Sequence, residues 1–397
     1  MDAAVNGSRP SARIVAAAAL IPLSAAWNAG NIGPVASEIA SEFDRSLGLV
    51  GVVTGSLFFG VAIATMFFAP AVSGRLGLVP TLRLAAALLI AGNVLVALTP
   101  GFWGLAVGRV LTGVAFATAS ALGVVWVRQV GGVRLLGVFG ASIQLGIAGA
   151  LALGSVLSHE NVDWRVAFGL SAVLGLIAFL VLPAHGEHEP AAGSPGGFLR
   201  RALRDPGLYR IALLFMAVYG VPMILGAWLV EYVVAEGDLA KGTAGALGFV
   251  LFGFTAGSRF AGARMRARGT PRVTLVATLG LAILGLAGLA LDPTLPLVAA
   301  AVVLIAVGLG APYATMLDEA QALHPDDRAK VIALMTVCGR ITPAIAIPLV
   351  GYALAAGDGG LAFGVVAVLV SLVLVANLRG PGDAGQALRL SSSWSRS

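Results

Sequence analysis

Charge is what this sequence has least of. Asp, Glu, Lys and Arg make up 11% of its 397 residues, against about 25% in soluble domains. Cysteine is nearly absent too. Cys338 stands alone, which excludes an internal disulfide and a thiolate metal cluster. Histidines number four. His185 and His188 flank Glu187, but no further ligand lies nearby, so the stretch reads as a solvated linker and not a metal site. No glycine-rich phosphate loop with its lysine occurs, which argues against ATP hydrolysis on this chain. No cluster of acids suits a metal-dependent membrane transferase. Neither a cofactor nor a metal is expected.

What is there is apolar. Hydrophobic residues make up 58% of the chain and the mean hydropathy is +0.94. No water-soluble fold hides that much apolar surface, so the solvent is lipid. A spanning helix needs about 20 mostly apolar residues. Runs broken by charges, Pro and Gly place twelve spans at 13–33, 48–70, 82–99, 103–127, 135–157, 166–183, 209–231, 245–264, 273–291, 296–316, 330–356 and 361–378. They must be helices, since every backbone group in lipid has to be satisfied within its own segment. The alternation of barrel strands is missing. Arg9 and Arg13 followed by IVAAAALIPLSAAW resemble a signal peptide, but apolar segments continue to the end, so this is read as a retained first span.

Basic residues orient the spans. With the N-terminus in the cytoplasm, twenty Lys and Arg fall on the inner side, three (Arg45, Arg165 and Lys241) on the outer side, and two (Arg109 and Arg340) inside spans. That asymmetry supports both the orientation and the span count. It also accounts for the net charge of +6 without nucleic acid as a partner. The partners expected are the bilayer and a small molecule, and the chain is expected to act as a monomer. High Ala, Gly, Val and Arg content suggests a GC-rich bacterial genome, hence the inner, plasma membrane, with both termini cytoplasmic.

The longest connection, HGEHEPAAGSPGG followed by FLRRALRD, is a flexible cytoplasmic linker. It divides the chain into a six-helix bundle at 1–183, the linker at 184–207, a second six-helix bundle at 208–378 and a disordered tail at 379–397. The halves look duplicated. AFGLSAVL at 167–174 matches AFGVVAVL at 362–369 in six of eight positions. RLGLVPTLRL from Arg75 and RARGTPRVTL from Arg266 share a basic turn bearing Gly and Pro. Two parallel halves of this kind are a known transporter plan.

Several stretches carry a family resemblance. In the fourth span, LAVGRVLTGVAFA supplies Leu105, Arg109, Gly113 and Ala115. DWRVAF at 163–168, WNAGNIGPVASEIASEF at 27–43 and WLVEYVVAEGD at 228–238 stand in matching order. Together they resemble the major facilitator superfamily over nearly the whole chain. The resemblance implies an all-α polytopic membrane protein with twelve transmembrane helices in two pseudo-symmetric bundles. It also implies a structural or proton-relay role for Arg109. One departure stands out. After the second span the family has Gly-x-x-x-Asp-Arg-x-Gly; here Pro70, Gly74, Arg75 and Gly77 hold those places. The acid that helps latch the cytoplasmic side in the family is missing, and the subfamily stays open.

The site candidates are the polar residues that lipid would reject. An Arg at mid-span costs about 2.5–3.5 kcal/mol on insertion scales. Arg340 sits in TVCGRITPAIAIPLVG with Pro343 and Pro348, prolines that free carbonyls one turn back and bend the helix. It is read as lining a pathway and binding a polar or anionic group, or else as pairing between helices. Arg109, Asn28, Asn31, Gln144, Tyr219, Trp228 and Tyr313 are the other substrate candidates, although Trp228 also suits an outer aromatic belt. Arg259 could snorkel to headgroups. Arg75, Arg259, Glu231, Asp318 and Glu319 are gate or coupling candidates. Acids lie only at span ends, so proton coupling lacks an obvious carrier. Glu231 is the best of them. In span five, Gly137, Gly140, Gly146, Gly149 and Gly154 form a small-residue face for close packing. The expectation is a secondary transporter working by alternating access, leaning to an organic anion or polar metabolite. Efflux of an amphipathic drug is the alternative, and a receptor or enzyme on the same scaffold is the alternative of another class.

Overall fold

The computed structural model describes residues 11–183, 204–267, 271–291, 293–324 and 328–378. Most of the expected linker and the whole expected tail lie outside them. Among the described residues ten helices are long and apolar enough to cross a membrane. They are α3 (Leu47–Leu76), α4 (Leu78–Leu98), α5 (Phe102–Gly132), α6 (Leu135–His159), α8 (Pro206–Ala235), α9 (Lys241–Gly262), α10 (Val273–Leu291), the pair α11 (Leu295–Gly310) and α12 (Tyr313–Leu323), α13 (Lys330–Ala355) and α14 (Gly359–Leu378). Two shorter apolar helices, α1 (Ala12–Trp27) and α7 (Arg165–Val181), fall where the first and sixth spans are expected. A short α2 (Ala36–Glu42) links α1 to α3.

Local chemistry sets the ends. Ser11 and Ser46 hydroxyls accept from the backbone N–H of Ile14 and Leu49 to start α1 and α3. Asp205 caps α8, with Pro206 at its first position. The chain passes from α5 to α6 through Gly132 at φ 60°, ψ −151°, a conformation that only glycine adopts without strain. Near the end of α3 the ladder slips into a π-turn over Ala64–Phe68, and the Ala69 N–H bonds to Ala64 O. Pro70 follows at once, with no N–H of its own to keep the α register.

Two expectations about the helices need correcting. The first span does not run to 33. Its helix stops at Trp27, residues 28–32 turn, and Gly33–Val35 form a 3₁₀ turn around Pro34. Other helices outrun their expected spans: α3 continues to Leu76, α5 to Gly132, and α11 with α12 to Leu323. Hydropathy marks only the slab that lies in lipid, while hydrogen bonding carries a helix past it.

The internal repeat is visible as packing. In the first half α3 crosses α5, with Ser56 Oγ donating to Ala106 O at 3.2 Å. In the second half α9 crosses α11, with Ser258 Oγ donating to Ala306 O at 3.0 Å. Glycine brings each pair close. A Cβ at Gly113 would sit 2.0 Å from Leu57 O, and one at Gly262 would sit 1.9 Å from Ala311 O. So the second helix of each half leans on the fourth through the same chemistry. The glycine face of α6 divides. Gly146, Gly149 and Gly154 abut Leu23, Trp27 and Pro34, whereas a Cβ at Gly137 or Gly140 would meet nothing within 4 Å. Close packing therefore holds for three of those five glycines.

The halves meet along α3 and α13. A Cβ on Gly51 would lie 2.9 Å from Pro348 Cα, and one on Gly55 would lie 2.8 Å from Ala344 O. Pro348 lacks the N–H that would otherwise bond Ala344 O, so the freed carbonyl turns to the glycine face opposite. Overpacking a tight contact costs about 1–3 kcal/mol. Gly55→Leu is therefore expected to lower the melting temperature of the purified protein by several degrees. Gly137→Ala, which meets open space, should leave it unchanged in the same thermal-unfolding assay.

Candidate functional site

A cavity of about 750 Å³ lies between the two halves. Its walls run from Arg340 in mid-α13 to Ser73 and Arg128 near the ends of α3 and α5. The opposite end is sealed. There Gly48 of α3 abuts the Tyr352 ring, and Trp228 Nε1 donates to Ile347 O at 2.8 Å. Lys241 Nζ donates to Glu38 Oε1 and, at 2.8 Å, to Ser158 Oγ, which is itself bonded to Glu38. Glu38 and Ser158 belong to the first half and Lys241 to the second, so this polar cluster bridges the bundles.

Arg340 is 8% exposed. Its guanidinium carbon lies 4.7 Å from the Phe116 ring centroid and 5.0 Å from that of Tyr219. One ring comes from each half. Such contacts are worth about 0.5–2 kcal/mol, enough to hold the group in place but not to saturate its donors. Nε and Nη1 have no hydrogen-bond partner. No Asp or Glu lines the cavity among the described residues. Pro343 sits within α13 one turn after Gly339 and has no N–H to offer the carbonyl of that glycine.

Tyr219, Tyr313, Gln144 and Arg259 also lie on the cavity wall. Arg259 stacks over Tyr313 at 4.3 Å, and its Nε is unpartnered. It belongs to the cavity wall. Gln144 is buried with Nε2 unpartnered. Phe116, Ser120 and Arg128 join the wall as well. Sequence reasoning passed them over, although Phe116 follows Gly113 by three positions in the stretch quoted for the family.

The remaining candidates lie elsewhere. Arg109 is 1% exposed and does not reach the cavity. Nη1 donates to Asn31 Oδ1 at 2.9 Å and Nη2 to the Asn28 carbonyl, while Asn31 Nδ2 donates to Ser171 Oγ at 3.3 Å. The three residues moor α5 and α7 to the turn where α1 stops, which is why they do not face substrate. Trp228 is 1% exposed. It sits in neither the cavity nor an aromatic belt, because its N–H is held by the seal. Glu231 is buried at the sealed end beside Ser37, in the field of Lys241 and Glu38. Arg75 is exposed, and no hydrogen bond or ion pair is found for it among the described residues. Asp318 and Glu319, on α12, are also off the cavity wall. The bridge between Glu38 and Lys241 was missed because its partners stand 203 positions apart; the only hint was that Lys241 is one of three outer basic residues.

A family model described as Major Facilitator Superfamily matches residues 18–346, and the chain belongs to that superfamily of membrane transporters. The facilitated glucose transporter member 2 of solute carrier family 2 from Gallus gallus is 28% identical over 190 residues, 45% of this chain and 35% of that protein. Member 10 from Xenopus laevis is 30% identical over 99 residues, 23% of this chain and 18% of that protein. The matched stretches thus span about a third and under a fifth of these relatives. Among solved structures, a D-xylose-proton symporter has a TM-score of 0.72 at 15% identity, covering 91% of this chain and 96% of that one. The nucleoside transporter NupG has a TM-score of 0.75 at 12% identity, with 92% and 98% covered. A bacterial homolog of the human lysosomal transporter Spinster, in an inward-facing and unoccupied conformation, has a TM-score of 0.71 at 17% identity, with 93% and 97% covered. At these identities the likeness is one of fold.

The mooring role of Arg109 is open to test. Arg109→Ala leaves Asn31 Oδ1 and Asn28 O without their donor, at about 1–3 kcal/mol for each buried group left bare. The expected result is a marked loss of thermal stability, partly recovered by Arg109→Lys, with ligand affinity in the folded fraction unchanged.

Proposed function

We propose that this member of the major facilitator superfamily moves a small organic anion by alternating access, and that the form described here is open to the cytoplasm. Arg340 carries the reading. A guanidinium in mid-membrane, facing a cavity that no carboxylate lines among the described residues, is a site that an anionic group completes. The side follows from charge. Arg75, Arg128, Arg259 and Lys330 cluster at the open end, and Arg45, Arg165 and Lys241 lie at the sealed end. By the positive-inside rule the open end is cytoplasmic, and the membrane is the plasma membrane of a bacterium.

A sugar is the second reading, because the curated relatives are named facilitated glucose transporters and one structural neighbour is a D-xylose-proton symporter. A sugar needs hydrogen-bond partners of both kinds around its hydroxyls, whereas of the buried unpartnered atoms on this wall those of Arg340, Arg259 and Gln144 only donate, and Ser120 Oγ alone can also accept. That favours an acceptor-rich ligand. Coupling to protons stays a proposal resting on Glu231 and Glu38. Both stand at the seal and not in the cavity, so a proton there would act on the gate.

Counterflow into proteoliposomes tests the substrate reading. Losing one member of a buried charge pair costs about 2–5 kcal/mol, roughly thirtyfold or more in affinity. Arg340→Gln is expected to remove anion counterflow and Arg340→Lys to keep part of it, while sugars are not exchanged by any form. Unimpaired counterflow in Arg340→Gln, or sugar exchange by the unaltered protein, would overturn the reading.

The seal has its own pH test. Burial pushes the Glu38 carboxyl up, but hydrogen bonds from Lys241 and Ser158 outweigh it, and the net is a value below the ordinary 4.5. Opening the seal removes those bonds and returns the group toward its ordinary value. The contribution of Glu38 to closure is thus complete above the open-state value and is lost as pH falls through the lowered closed-state value. Spin labels on Arg45→Cys and Asp238→Cys, in a Cys338→Ser background, should show the sealed end staying closed at neutral pH and separating as pH falls below the ordinary 4.5 toward the lowered closed-state value. Glu38→Gln should abolish that response.

A further inference from the structure

The two walls of the cavity differ in chemistry. The second half contributes two guanidiniums, Arg340 and, toward the open end, Arg259, and two phenols, Tyr219 and Tyr313, beside the apolar Met223, Ile332 and Ala333. The first half contributes Phe116, Ala117, Ala121, Ile143 and Ile147, with Ser120 and Gln144 among them and Arg128 toward the open end. Ala117 and Ala121 stand one helical turn apart on α5, so their missing bulk hollows one face. A fully hydrophilic anion would satisfy Arg340 and leave that alanine face against water. A ligand with an apolar body buries it. The volume, about 750 Å³, greatly exceeds a bare carboxylate and falls within the range of pockets that enclose ligands of drug size.

From this division of labour we infer that the substrate is an amphipathic organic anion. Its charged head is held by Arg340 on the second half, and its hydrocarbon or aromatic body lies along the Ala117 and Ala121 face of the first half. The inference rests on the anion reading of Arg340. It adds what the rest of the molecule looks like, and it gives each bundle a different part of the substrate to grip. Because Phe116 and Tyr219 clamp Arg340 from opposite halves, head and body meet at the plane where the bundles join.

The test is a homologous series of straight-chain monocarboxylates from acetate to octanoate, with benzoate, malate and inorganic phosphate alongside. Binding is measured by calorimetry on the full chain in lipid nanodiscs, with empty nanodiscs subtracted. Affinity is expected to tighten roughly threefold to fourfold per added methylene until the alanine face is filled, with malate and phosphate no tighter than acetate. Ala121→Trp should move the tightest-binding chain length to a shorter member, and Arg340→Gln should weaken every member of the series. Should malate or phosphate bind as tightly as octanoate and still depend on Arg340, the amphipathic inference falls and the anion reading survives. Should Arg340→Gln leave the whole series unchanged, both fall. The length dependence in the unaltered protein decides the matter even where Ala121→Trp does not fold.

Discussion

A guanidinium keeps its proton under any condition a cell offers, so burial cannot make it neutral. Most of what is informative about this chain follows from placing one such group halfway along α13. Lipid cannot solvate it, and among the described residues no acid lines the cavity around it. The fold responds with π-electron faces, one from each bundle. Aromatic faces steady the cation but accept no hydrogen bonds from its edge. The edge is left for water or for a ligand, and that separates this arginine from one that is merely structural. Arg109 shows the contrast. It is buried more deeply, yet its terminal nitrogens are taken up by Asn31 and the Asn28 carbonyl, and it holds helices together instead of waiting for a partner.

The sealed end depends on a complementary device. Gly48, Gly51 and Gly55 let α3 lie directly on α13, and Pro348 releases a carbonyl toward that groove. The prolines in the stretch around Arg340 therefore serve two purposes. They take N–H donors out of the α13 ladder beside the cavity, and they shape the surface on which the other half rests. The seal combines a dry glycine contact with a small polar cluster at Glu38, Ser158 and Lys241. Each contact is modest, which on the alternating-access reading suits a joint that parts without unfolding either bundle.

The membrane-spanning character of the helices and the wall positions of Arg340, Arg259, Gln144, Tyr219 and Tyr313 were accessible to sequence reasoning for a simple reason. Lipid penalises polar groups so heavily that a polar residue in an apolar run stands out. The same logic failed for Asn28, Asn31, Arg109 and Trp228, because polarity says that a side chain needs a partner and not who the partner is. Asn28 and Asn31 sit just past the end of α1, a break that Gly30 and Pro34 hinted at but that hydropathy smoothed into a span. Trp228 has amphipathic chemistry suited to an interface, yet its N–H was claimed by a carbonyl 119 positions away. Glu38 and Lys241 looked like ordinary loop charges because each stands next to solvent in sequence and next to the other only in space.

The open end carries the remaining physical tension. Where the family pattern has an acid after the second span, this chain has Gly74, and Arg75 beside it is exposed. The cavity reaches this end with Arg128 on the first half and Arg259 on the second. Narrowing the empty cavity would push like charges together as water leaves and the local dielectric falls, so the repulsion grows as the gap closes. An anion between the walls reverses the sign of that term. On the anion reading its charge is held by Arg340 between walls that carry Arg259 and Arg128, and closure then strengthens attraction in place of repulsion. On the anion reading the bound molecule supplies at the open end the compensating charge that the protein's own sequence has dropped. The energy that favours closing that end then arises only when the cavity is occupied, which ties movement of the bundles to movement of the substrate.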